Sequence, residues 1–537
     1  MGRTLLRNAV VYDGSGADGA AADVLIEDDA VRDVAPGIAV EPGAAEEVDC
    51  TGCAVAPGFI DIHGHSDFFI LAYPKAESRV MAGVTTEVAG NCGGSPFPVG
   101  GELSERRNLQ LRGVWAMFAG ETGIDWTDAQ GYFDRWAVSG SSMNIAFLVG
   151  HGNLHALTVG YSDAAPTPEQ LGRMERLLAE GLEAGAYGLS TGLIYPPGCY
   201  ASTDEIVRLA RVVGRQGGIY ASHIRGESHS LVEAVDECLT IVERSGCRGI
   251  ISHLKTMGRP NWPKLDRVIE HIESARSRGA YVVADRYPYL AAMTGLDSIL
   301  FPDWVVEGGL DAELGRLSDP AMRTRLREAL ETLHPEPDWP DRVRLSSCGT
   351  AANATLAGLT LRQLADRWDA DPLEAALRLL VEERTCVTAV HFCMSDDNLQ
   401  RLYRLPYVMV ASDSSVRGLS TEGNSRPHPR GFGTPARFLG HYVRDEGLMS
   451  WGEGIRRLTG LPAEVMGWRR RGRLAAGTLA DVVVFRPDEL ADRATYDEPI
   501  ASPAGIRHVL VAGRFVVRDG RHTGDTPGRI LRRGEPE

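Results

Sequence analysis

Ile60-Asp61-Ile62-His63-Gly64-His65 is a short apolar run that stops on two histidines two residues apart. Period-two alternation puts His63 and His65 on one side of a strand, where two imidazoles can share a metal ion. Gly64 lets the backbone turn close beside them. A strand that ends in ligands is the mark of a fold whose chemistry gathers at strand ends.

Working outward, seven further strand-like runs end near Gly90, Gly150, Leu189, His223, His253, Asp285 and Asp413. Helical patterns lie between them at 168–184, 204–216, 228–245 and 264–278. Within 228–245, Leu231, Val235, Cys238, Leu239 and Val242 form one apolar stripe at helical spacing. The strands recur about every 32 residues, the length of a βα unit. Eight such units predict an α/β fold, a TIM-type (β/α)8 barrel over 57–470. The alternative, an open doubly wound sheet, is weakened because no glycine-rich phosphate loop follows the first strand.

The chain ends have a different rhythm. Residues 1–56 alternate short strands, such as 8–12 and 22–26, with turns, and the runs 479–485 and 509–517 repeat that style. Residues 1–56 and 471–537 are therefore expected to form one small β-sandwich. Segment 291–345 is too long for a βα loop and contains a helical run at 320–333, so it reads as an inserted subdomain after strand 7. Segment 414–435, rich in Gly, Ser, Pro and Arg, reads as a loop or lid.

With 537 residues, 43% hydrophobic and 24% charged, the chain can bury a large core. A net charge of −16 disfavours phosphate backbones and anionic lipid heads, which sets nucleic acid and membrane partners aside. The N-terminus lacks the apolar core of a signal peptide, and no run of 18 apolar residues exists, so a cytoplasmic protein is expected. Nine cysteines, an odd number, do not make a disulfide scaffold. Cys50 and Cys53 form a CxxC without a second pair, and read as small core residues on a strand.

Ligand-type residues fall at five of the predicted strand ends: His63 and His65, Cys92 in Asn91-Cys92-Gly93-Gly94, His223, His253, and Asp413. A lone buried histidine or cysteine is usually packing. Four histidines, one cysteine and one aspartate at the ends of five strands are a donor set suited to zinc. His271, His334 and His522 fall outside these ends and are expected to be solvated, and His151 to be structural.

These residues resemble the amidohydrolase superfamily, and within it the N-acyl-D-amino-acid deacylases (D-aminoacylases). The likeness covers nearly the whole chain. It runs through residues 58–67, Gly83-Val84-Thr85-Thr86, Gly90-Asn91-Cys92-Gly93, Tyr195-Pro196-Pro197-Gly198, His223-Ile224-Arg225, Ser252-His253-Leu254-Lys255, Asp285-Arg286-Tyr287, Ser412-Asp413 and His428-Pro429-Arg430. The resemblance implies that Cys92, His223 and His253 hold one tight zinc, with His63, His65 and Asp413 lining a second, weaker position. The fourth strand, Ala186-Tyr187-Gly188-Leu189-Ser190-Thr191, has no lysine to bridge two metals, which argues against hydantoinase-like relatives.

Zinc acidifies a bound water and polarises a carbonyl. Asp413 is the natural proton shuttle, from attacking water to leaving amine. Lys255 and Arg225 each stand two residues after a candidate ligand and so share its inward face. Such cations point to an anionic group on the substrate, with ion pairing to Asp67 or Asp285 as the structural alternative for Lys255. Tyr195 is expected, from the resemblance, to contact substrate, and Tyr287 to shape the pocket. The expected activity is zinc-dependent cleavage of N-acyl amino acids, small molecules of D configuration by the resemblance. Alternatives are another amide (a cyclic imide, dipeptide or isoaspartyl peptide) or a barrel without catalysis. An oligomer is compatible with the sequence.

Overall fold

The computed structural model describes residues 2–111, 123–420 and 425–536 of an α/β fold. Within the segment expected to form a loop or lid, Thr421, Glu422, Gly423 and Asn424 lie outside the described residues. The chain ends meet in one nine-stranded sheet. Ala54–Pro57 pairs antiparallel with Val482–Phe485. Alternate residues of that back strand serve two cores, as period two requires: Val482 and Val484 face the end sheet's own core, Val483 and Phe485 the main core. Cys50 and Cys53 are free thiols buried in the end-sheet core, on a tight turn rather than on a strand.

Among the described residues eight strands run parallel through the middle of the chain. They are Phe59–Asp61, Val84–Ala89, Asn144–Phe147 continuing at Val149–Gly150, Gly188–Gly192, Ile219–His223, Arg248–Ile251, Val282–Arg286 and Val408–Val410. Each pairs with the next in that order. The eighth strand returns to the first through a parallel bridge between Gly64 and Ser414. There Asp413 N donates to His63 O at 2.9 Å and His65 N to Ser414 O at 2.9 Å.

The helices follow from caps and apolar stripes. Pro168–Glu183 starts with a capping box made by Thr167 and Gln170, and Thr203–Arg215 starts on Ser202, whose hydroxyl accepts from Glu205 N. Leu231–Ser245 buries the predicted stripe and ends on Gly246 in the left-handed region. Among the described residues no helix is long and apolar enough to cross a membrane.

The insertion differs from the expected 291–345. Ala291–Gly295, Val387–Phe392 and Val343–Cys348 form an antiparallel sheet with Val387–Phe392 in the centre. A boundary at 345 would remove that central strand. Helices Leu361–Trp368 and Pro372–Glu382, which carry the same helical stripe as the main-body helices, belong to the insertion's separate core, with Leu300, Leu330, Leu345 and Leu377.

Candidate active site

Strand ends bring the ligand-type side chains together. Cys92, His253 and Asp413 all have positive φ, at 51°, 37° and 48°. Non-glycine residues in this region are uncommon, and the cost is sustained where surrounding structure over-determines them, typically at functional sites. Gly64 is required for a different reason: a Cβ there would lie 2.1 Å from Glu87 Oε1. That carboxylate is held by buried Arg79, whose Nε donates to Glu87 Oε2 at 2.9 Å.

His63 Nε2 lies 3.2 Å from Cys92 Sγ, and Cys92 Sγ lies 3.4 Å from His253 Nε2. His253 Nε2 in turn faces His223 Nδ1 at 3.0 Å. His65 Nε2 is 3.1 Å, and His63 Nε2 3.6 Å, from Asp413 Oδ1. One donor atom each from His63, Cys92, His253 and Asp413 lies within 4.8 Å of the others, and a second such group is His223, Glu227 and His253. Asp285 orients the ring of His63 and holds the backbone of His253. Its Oδ2 is 3.2 Å from His63 Nδ1, and its Oδ1 accepts from His253 N at 2.8 Å. Thiolate, imidazole and carboxylate converging in this way fit a zinc-class ion.

The electrostatics agree with ionised donors. Burial would push the Cys92 thiol up, but His63 and His253 hold it well below the usual thiol range. Burial also opposes ionisation of Asp413, yet Arg430 and the neighbouring histidines hold its carboxyl well below the ordinary value. Burial and the nearby Cys92 push the Tyr195 phenol well up, so it stays a neutral donor.

A cavity of about 590 Å³ opens over this cluster. It is lined by His65, Cys92, His223, His253 and Asp413, and by Tyr195, Arg225, Lys255 and Tyr287. His63 is fully buried behind them. Two cations do not play the free role expected of them. Lys255 Nζ is bound to Glu227 Oε1, lies 2.7 Å from His253 Nδ1 and donates to His253 O at 3.1 Å. Its partner is neither Asp67 nor Asp285. Arg225 donates to Glu237 twice, at 2.9 Å each, and to Cys199 O and Ala201 O at 2.8 Å each. With their donors engaged, neither is a ready anchor for a substrate carboxylate.

Two residues with clear geometric roles were not singled out from sequence. Glu227, four residues after His223, reaches His253 Nδ1 at 3.0 Å. Arg430 is buried, with Nη1 2.8 Å from Asp413 Oδ2 and its guanidinium 4.5 Å from the Tyr287 ring centre. Among the described residues Arg430 Nε and Nη1 and Tyr287 Oη have no hydrogen-bond partner. The end of the segment expected to be a loop or lid, 414–435, is instead the start of a helix, Arg430–Arg437, which His428 fixes by accepting at Nδ1 from Arg430 N at 3.0 Å. The signal for Arg430 was the run His428-Pro429-Arg430 itself.

Other histidines fall elsewhere. His151 is buried against Glu205, 2.8 Å from Oε1 and away from the cavity. His271 is partly exposed beside Asp236. His334 is not solvated: it is buried, 2.8 Å from Ile299 O, and lines the cavity with His391. His522 is half-buried, 3.0 Å from Lys75 O.

The amidohydrolase family pattern matches residues 46–245 and 265–517, and the chain belongs to that family. It is 37% identical over 534 residues to an N-acyl-D-glutamate deacylase of Alcaligenes xylosoxydans xylosoxydans, covering 98% of this chain and 97% of that one. A D-aminoacylase of the same organism is 33% identical over 98% of this chain and 97% of its own length. Among solved structures, N-acyl-D-glutamate deacylase of Bordetella bronchiseptica, complexed with zinc and a phosphonate mimic of the tetrahedral intermediate, superposes with a TM-score of 0.81. It is 34% identical and covers 98% of this chain and 99% of its own. The protein is thus an amidohydrolase related over its full length to deacylases.

Proposed function

We propose that this enzyme hydrolyses the amide bond of N-acyl-D-amino acids, using zinc held by Cys92, His223 and His253. The observation that carries the reading is the convergence of these three side chains beneath a cavity that also presents Asp413 and an incompletely bonded Arg430. Deacylase relatives over the whole chain support the substrate class. The parallel strands read as a closed (β/α)8 barrel, with the end sheet as its β-sandwich satellite. His63, His65 and Asp413 form a second, weaker metal position.

When bound, zinc supplies a Lewis acid for the carbonyl and acidifies water. The remaining work belongs to the chain. Asp413, with Oδ2 facing Arg430 and Oδ1 facing His65, takes the proton of the attacking water and returns it to the leaving nitrogen. Arg430 Nε and Tyr287 Oη hold the substrate α-carboxylate, the role first expected of Lys255 and Arg225. Tyr195 donates its phenol hydrogen to the acyl carbonyl. Lys255 and Glu227 together fix the ring of His253.

The test is release of free amino acid from a panel of N-acetyl-D- and N-acetyl-L-amino acids by the zinc-loaded enzyme, with D-configured methyl amides as controls. Turnover of D-acids, lost on chelation and restored by zinc, is expected. Hydrolysis of cyclic imides or dipeptides with no release from any N-acyl-D-amino acid would overturn the reading.

A further inference from the structure

The strand ends account for the reacting part of the cavity. The rest of its wall comes from the insertion: Phe301, Val306, Leu333 and Trp339, with His334 and His391 beside them. The insertion strand Ala291–Gly295 adds Met293, and the main body adds Met257. The cavity's 590 Å³ lies within the roughly 300–1,000 Å³ of small-molecule sites, room for a substituent well beyond an acetylated backbone.

Charge decides what that substituent is. Among the described residues four guanidinium or ammonium groups line the cavity: Arg225, Lys255, Arg342 and Arg430. Arg225 is bonded to Glu237 and Lys255 to Glu227. Arg342 donates through Nε and Nη2 to Asp338 Oδ2 at 3.0 and 2.6 Å, and its Nη1 lies 4.0 Å from Glu336. Arg430 is ion-paired with Asp413 through Nη1, and its Nε and Nη1 have no hydrogen-bond partner among the described residues. Asp303 and Glu336 also line the cavity. One carboxylate can therefore be satisfied, at Arg430. A second would meet apolar side chains and like charges, with the hydroxyls of Ser228, Ser230, Thr294 and Ser298 and the exposed His229 as polar neighbours; a buried charge without a partner is strongly disfavoured.

We propose that the insertion wall selects N-acyl-D-amino acids whose side chain is uncharged, bulky and apolar, such as leucine, methionine or phenylalanine, and disfavours the glutamate and aspartate derivatives. The selection rests on the deacylase reading above and separates this chain from relatives named for acidic substrates. His334 and His391 fit the same wall: burial holds both below the ordinary histidine range, His391 at about 3, so neither offers a positive charge near neutral pH.

The test compares kcat/KM of the zinc-loaded enzyme on N-acetyl-D-leucine, -phenylalanine, -glutamate and -aspartate, and on N-acetyl- against N-octanoyl-D-alanine. Preference for leucine or phenylalanine over glutamate by at least tenfold is expected, about 1.4 kcal/mol. Leu333→Lys, at a partly buried position on the wall, should shift the ratio towards glutamate by a similar factor. Turnover of glutamate or aspartate equal to leucine overturns the proposal. So does a gain from the octanoyl chain matching the gain from the leucine side chain, which would give the wall to the acyl group. If no N-acyl-D-amino acid is hydrolysed, the deacylase reading fails. The selectivity is then read from thermal shifts of the zinc-loaded protein with N-acetyl-D-leucine against N-acetyl-D-glutamate; a larger shift with glutamate overturns it.

Discussion

The wall made by the parallel strands places Cys92, His253 and Asp413 in left-handed backbone and packs them among charged partners, whereas the insertion presents Phe301, Val306, Leu333 and Trp339 from the ends of short helices. On the first wall each side chain is fixed by several contacts. Asp285 alone serves two histidines, and Glu227 serves His253 and Lys255. On the second, apolar surface and the insertion's own core set the shape. The difference separates two tasks. Reacting groups must be held within fractions of an ångström, which strand ends and strained backbone achieve. A specificity wall needs volume and absence of charge, which helix ends can supply and exchange without disturbing the other side.

Changes on the first wall should have the largest effects. Cys92→Ala is expected to lose most of the bound zinc by elemental analysis and to lose more turnover than any other single change. Full zinc occupancy in that variant would exclude Cys92 as a principal ligand. Asp413→Asn should keep the fold, with a circular dichroism spectrum like the parent's, and lose roughly 10²–10⁴-fold in kcat. Near-normal kcat would remove Asp413 from proton transfer. Glu227→Gln tests a contact one step further out. Losing the partner that orients a ligand histidine typically costs roughly 10–100-fold in metal affinity or activity. Zinc release to a chelator should quicken accordingly, and an unchanged release rate would reduce Glu227 to a simple ion pair with Lys255.

The same contrast explains what was legible in the sequence. His63 and His65 could be read because period two forces them to one side, and Leu231–Ser245 because its stripe and its terminal glycine are local signals. Lys255 was misread because nothing local shows that Glu227, 28 residues earlier, neutralises it. Arg430 reaches the cavity from the first residue of the helix Arg430–Arg437, whose start is held by His428 against Ala291 O, a tertiary fact. The end of the insertion was hidden because Leu361–Trp368 and Pro372–Glu382 carry the helical period of the main body, while the pairing that sets them apart spans about forty to a hundred residues.

The smallest predicted effect lies on the second wall and appears in stability rather than in turnover. His391 is buried beside His334, with ring centres 5.2 Å apart, and burial, His334 and Arg342 hold its pKa down at about 3. In the unfolded chain the same group titrates near 6.5. Between these values the unfolded state binds a proton that the folded state refuses. The folded state therefore keeps its full advantage above about pH 6.5 and loses it as pH falls towards 3. At pH 5.5 the loss from this residue alone is about 1.4 kcal/mol. His391→Gln removes the titrating group, so the fall in melting temperature between pH 7.5 and 5.5 should be shallower in the variant than in the parent. Both proteins share every residue of the strand-end cluster, so acid titration there cancels in the difference. Parallel slopes would mean that His391 is protonated within the fold, and the insertion wall would then carry a positive charge at mildly acid pH.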